Sequence, residues 1–172
     1  ISLINLDEQK RSFDQKNRIW LSLPGTKKEA DIISKITNAK LFLENEASAL
    51  NIQIEESPKI LHIATHSFYI GDNKNDNLFS ENIFSNSITK NKRIENPLLR
   101  SGIVLAGANY PEKNLNDDGY LTALEVSKLN WNGTELVVVS GCESGQGDLQ
   151  SGEGVYGLKR AIAVAGARSV SY

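Results

Sequence analysis

Two side chains in this sequence have the types and settings of a nucleophile and its base. Cys142 stands in "VVVSGCESGQG", where a run of valines stops in a glycine-rich stretch; His66 stands in "KILHIATHSFY", where another apolar run stops. A free thiol has a pKa of about 8.5, and an adjacent imidazolium lowers it towards or below neutrality. Such a pair performs acyl transfer: the thiolate attacks a carbonyl, the imidazole shuttles the proton, and water releases the acyl-enzyme. Cys142 is the only cysteine, and a lone cysteine is by composition as readily a small buried hydrophobe. Its place at the end of an apolar run argues for chemistry. So do the glycines after it, which let a substrate backbone approach closely, and the histidine at the corresponding end of a second run.

Other constellations are weaker. "HIATH" puts His62 and His66 four apart, as in H-E-x-x-H, but that motif needs a helix and a Glu at its second position. Ile63 stands there instead, Pro58 lies just before, and the segment reads as a strand. His62 is therefore read as a hydrogen-bonded structural histidine in mid-strand, and no metal site is expected. "GEGVYG" (152–157) matches G-x-G-x-x-G in letters, but eleven residues separate Ser140 from Gly152, too many after the preceding strand for a dinucleotide turn. No G-x-S-x-G elbow is present, because Gln146 stands where the last glycine should be after Ser144. No cofactor is expected. Asp117-Asp118-Gly119 reads first as a turn braced by its own carboxylates; Asp118 is also carried as a candidate for binding a basic substrate residue.

Elements at the right ends must hold these groups. Apolar spacing predicts a helix over 27–36, with Thr26 as N-cap and Glu29 three residues on. A short strand is expected over 39–43, a short helix over 44–53 and a buried strand over 59–65. Further strands are expected over 101–108 and 134–140 and from 167 onward; helices are expected over 121–129, with Thr122 as cap, and over 153–166, ended by Gly166. Alternating strands and helices imply parallel β-α units in a layered α/β sheet. Ligands bind such sheets beyond the carboxyl ends of the strands. Three places qualify: Thr65-His66-Ser67, Gly107-Ala108-Asn109 and Ser140-Gly141-Cys142. Adjacent strands are about 4.8 Å apart, so groups leaving neighbouring ends can converge.

Composition narrows the classes. The 172 residues suit one domain, 40% hydrophobic and 23% charged. A formal net charge of −2 gives no reason to expect nucleic-acid or anionic-membrane binding. No apolar run approaches the roughly 20 residues of a membrane span, and the first residues lack a signal-peptide core. A single cysteine cannot form an internal disulfide, which fits a reducing, cytoplasmic setting. The absence of methionine, and a strand that stops at Tyr172, lead us to expect a piece of a longer protein, incomplete at both ends. Residues 72–96, rich in Asn, Ser and Lys and without a clear period, read as a long loop or insertion and the first place to look for proteolytic nicking.

The blocks "PKILHIATHSFY", "NPLLRSGIVLAGAN", "DDGYLTALEVSKL" and "TELVVVSGCESGQGDLQSGEGVYGLKRAIAVAGARSV", preceded by "LPGTKKEADII", resemble CHAT domains in content and order over about residues 23–171. These are caspase-like modules often attached to tetratricopeptide repeats. The resemblance implies a caspase-like layered α/β fold, with a mostly parallel sheet and helices on both faces. It implies a His-Cys dyad of His66 and Cys142, an oxyanion hole from the backbone N–H groups of Ser67 and Cys142, and a substrate pocket lined by Ser140. The family usually carries Gly where Ser67 stands and commonly "SAC" where this chain has "SGC". Basic-specific relatives often carry Asp at the position of Ser140. The expected activity is a cofactor-free cysteine endopeptidase acting on protein or peptide substrates. The alternative is a caspase-like scaffold module whose activity is lost or latent.

Overall fold

In a computed structural model, residues 19–70, 96–113, 116–141 and 151–172 are described. The expected loop 72–96 lies outside them except for Asn96, and Cys142 lies outside them too.

Four helices and six strands are found among these residues: α1 (Pro24–Thr37), α2 (Ala49–Ile54), β1 (Ile60–Ala64), β2 (Ser67–Tyr69), β3 (Ser101–Val104), β4 (Tyr120–Thr122), α3 (Ala123–Val126), β5 (Leu136–Ser140), α4 (Ser151–Val164) and β6 (Val170–Ser171). They are mixed helix and strand, as expected of an α/β chain. The strands form two three-stranded sheets. One is parallel, in the order β1-β5-β6, and its best strand is the valine run of β5, where β-branched side chains suit the pleat. The other, β2-β3-β4, is antiparallel. This corrects the expectation of a mostly parallel sheet. The chain between β3 and β4 carries only a 3-10 turn at Pro111–Lys113 among its described residues, and a parallel return needs a longer crossover, usually helical.

Local corrections have local causes. Helix α1 begins at Pro24, not at Lys27: proline at the first helical position lacks an N–H that would be unpaired anyway, and its φ is already helical. Leu23 is the N-cap, and Thr26, inside the first turn, donates its hydroxyl to Leu23 O at 2.8 Å instead of capping. Residues 39–43 form no strand; Leu41, Phe42 and Leu43 are all half-buried, without the alternation of a pleated face. The expected helix 44–53 divides into a 3-10 turn (Glu44–Glu46) and α2, because Ser48 Oγ accepts the Asn51 N–H at 3.1 Å and starts a new helix. The strand expected over 101–108 ends at Val104. Thr122 does cap α3, and Gly166, at φ 107°, lies just beyond the end of α4.

Successive strand residues point to opposite faces, which sorts the packing. Ile63, Val137 and Val139 face the main core with Trp131 and the α4 residues Leu158, Ala161 and Ile162. His62 points to the opposite face, where its Nε2 lies 2.8 Å from Glu29 Oε1 of α1. It is the hydrogen-bonded mid-strand histidine that the sequence suggested. The antiparallel sheet is likewise covered on both sides. Ile103 and Leu121 enter the main core, while their neighbours Val104 and Tyr120 join Trp20, Phe68, Ile70 and Ala108 in a second cluster. Among the described residues, no helix is long and apolar enough to cross a membrane.

Candidate active site

The two sheets meet at Thr65 and His66, the two residues between β1 and β2. Thr65 N–H donates to Ser140 O at 3.0 Å and so extends the parallel sheet by one rung. Val104 N–H donates to His66 O at 2.9 Å and so begins the antiparallel one. The Thr65 hydroxyl donates to Val104 O and ties the same joint from the side. His66 thus leaves the carboxyl end of β1 with its backbone held in place.

β5 leaves the sheet beside it. Ala64 pairs with Ser140, and Gly141 follows. A Cβ built on Gly141 would stand 1.9 Å from Thr65 O and 3.8 Å from Ser67 N, so only glycine allows the chain to pass this close. Ser67, Ser140 and the His66 backbone are therefore gathered around one point at the ends of adjacent strands. Each β5 residue lies 76 positions beyond its β1 partner (Ile60 with Leu136, Ala64 with Ser140), the same separation as between His66 and Cys142.

The imidazole of His66 is buried at 8% exposure. Its Nε2 lies 2.7 Å from Leu21 O. A carbonyl oxygen can only accept, so Nε2 carries the hydrogen, and in the neutral ring Nδ1 is the nitrogen able to take a proton. The indole of Trp20 packs beside the ring, centroid to centroid 5.4 Å. Trp20 is itself held on several sides. Its Nε1–H donates to Tyr120 Oη at 2.9 Å, and its ring approaches Phe68. Its backbone N–H donates to Asn109 Oδ1 at 2.8 Å, and its carbonyl accepts from Asn109 Nδ2 at 2.9 Å. Asn109 belongs to the Gly107-Ala108-Asn109 triplet singled out above, but nothing in the residue pattern linked it to Trp20 or Leu21. A backbone carbonyl carries no side-chain signature.

The acidic pair behaves as a turn. Asp117 accepts from Gly119 N–H through Oδ1 and from Leu50 N–H through Oδ2, and Asp118 Oδ1 accepts from Tyr120 N–H at 3.2 Å. Among the described residues, no group of three or more His, Cys, Asp and Glu side chains could hold a metal ion.

A mixed α/β chain with a histidine at the joint of two sheets, beside the end of a parallel neighbour, defines a class rather than a reaction. The family is shown by sequence: the CHAT domain model matches residues 4–171, and the chain belongs to that family. No curated protein and no solved structure matches it.

Proposed function

We propose that the domain is a caspase-like cysteine endopeptidase with His66 as base and Cys142 as nucleophile. The observation that carries this reading is the pairing of β1 with β5, which brings Gly141, the neighbour of Cys142 in sequence, against Thr65 and near Ser67 N. Cys142 follows Gly141 directly in the sequence. The Nε2–H bond to Leu21 O supports it further, since it leaves Nδ1 as the proton acceptor.

In this scheme the Cys142 thiol gives its proton to His66 Nδ1, and the thiolate adds to the scissile carbonyl carbon. The carbonyl oxygen becomes an oxyanion held by the N–H groups of Ser67 and Cys142, donors that matter most in the transition state. Collapse of the adduct breaks the C–N bond, and the leaving amine takes the proton from His66. Water then gives a proton to His66 and attacks the thioester; the acid leaves, and the proton returns to the thiolate. Ser140 would line the pocket for the residue before the scissile bond, with Asp118 the further candidate for a basic side chain. Protein or peptide substrates, a cytoplasmic setting, and further segments such as tetratricopeptide repeats belong to the same reading.

The test is alkylation of Cys142 by iodoacetamide across pH, together with a peptide-library digest using Cys142→Ala as control. We expect modification well below pH 8, slowed by His66→Ala, and cleavage that Cys142→Ala abolishes. A thiol inert at every pH, with no cleavage by the complete protein, would instead support a caspase-like scaffold.

A further inference from the structure

The segment Ile19–Leu21 alternates sharply in burial. Ile19 is 82% exposed, Trp20 9% and Leu21 76%. That is the alternation of an extended chain, whose side chains point to opposite sides at successive residues. In such a chain the N–H and C=O of one residue leave by the same edge, and those of the next residue leave by the other. The hydrogen bonds match this rule: both backbone groups of Trp20 meet the Asn109 carboxamide, and the carbonyl of Leu21 meets His66 Nε2. Asn109 therefore pairs with Trp20 as a neighbouring strand would, exchanging one acceptor and one donor bond with a single residue. His66 hangs from the opposite edge, one residue on.

The carbonyl that holds His66 is thus only as steady as the peptide before it. The Trp20 side chain is anchored by Tyr120 Oη and the second apolar cluster. Rotation about the Trp20 Cα–C bond would still carry Leu21 and its carbonyl with it, unless the Trp20 carbonyl is held. Asn109 Nδ2 donates to that carbonyl. We infer that Asn109 is a positioning residue for His66: by clamping both backbone groups of Trp20 it sets the Leu21 carbonyl, and through it the tautomer and orientation of the imidazole. The inference deepens the reading of His66 as a base and rests on it for its functional meaning.

The test combines imidazole ¹⁵N NMR with the alkylation rate of Cys142, on the complete domain with Asn109→Leu and Asn109→Asp. The wild-type protein should show His66 in a single Nε2-protonated tautomer. In Asn109→Leu that signature should give way to a tautomer mixture, and alkylation should slow by about tenfold or more, up to the roughly hundredfold that a 1 Å misplacement from a distance can cost. Asn109→Asp keeps the acceptor for Trp20 N–H but loses the donor to Trp20 O, so both readouts should fall between the other two. A merely structural role would change the melting temperature and leave the tautomer of the folded protein intact. The proposal is overturned if folded Asn109→Leu keeps the single tautomer and the wild-type rate. Should that variant not fold, the near-isosteric Asn109→Asp decides in the same way. If His66→Ala does not slow alkylation in the wild-type background, while the tautomer still shifts in Asn109→Leu, the peptidase reading fails and the positioning role stands.

Discussion

A methyl group on Gly141 would meet Thr65 O at 1.9 Å, and that atom belongs to the backbone that carries His66. Because a backbone oxygen cannot rotate away as a side chain can, Gly141→Ala must part the ends of β1 and β5. Overpacking of this kind costs about 1–3 kcal/mol, which urea denaturation would read as a lower midpoint at unchanged slope. We also expect Cys142 alkylation to slow in the folded variant. A variant of wild-type stability and rate would show that the close approach is dispensable. Gly141 was legible in the sequence as the glycine ending a valine run, and His66 as the histidine ending another, because strand ends leave marks in residue type. The partner of His66 left none. Leu21 contributes a carbonyl, a group shared by every residue, and its 45-residue separation from His66 is invisible to any local pattern.

The letters T-x-x-E occur twice before predicted helices, at Thr26–Glu29 and at Thr122–Glu125, and the structure uses them differently. At α3 the reciprocal cap forms: Glu125 N–H donates to Thr122 Oγ1, while Thr122 N–H and hydroxyl donate to Glu125 Oε2. At α1 it does not, because Pro24 starts the helix upstream and Glu29 reaches His62 on β1 instead. Thr122→Ala should therefore cost about 1 kcal/mol or somewhat more, as loss of an N-cap does, and Thr26→Ala a few tenths at most. Denaturant midpoints of the two variants, measured side by side, check this; equal losses would refute the distinction. The same contrast explains what sequence reading caught among the elements. The longer units β1, β5 and α4 announced themselves by apolar runs or helical spacing. The three-residue strands β2 and β4 are shorter than any period can register, so the antiparallel sheet they build was not foreseen.

For the molecule as a whole, the decisive arrangement is that two sheets of different sense share one short joint. Thr65 belongs to the parallel sheet through Ser140, and His66 to the antiparallel one through Val104. The antiparallel sheet closes its other face with the second apolar cluster, yet Ile103 and Leu121 of that sheet pack into the same core as Val137 and Val139 of the parallel one. The main core is thus common to both sheets. In the language of hydrogen exchange, the two sheets should form one foldon rather than two: the amides of Thr65 and Val104 should open with the same free energy and the same denaturant dependence. Unequal opening energies would show that one sheet survives without the other. If they are equal, no partly unfolded form keeps one sheet while releasing His66, and a protease or chaperone meeting this domain would find it either whole or wholly open.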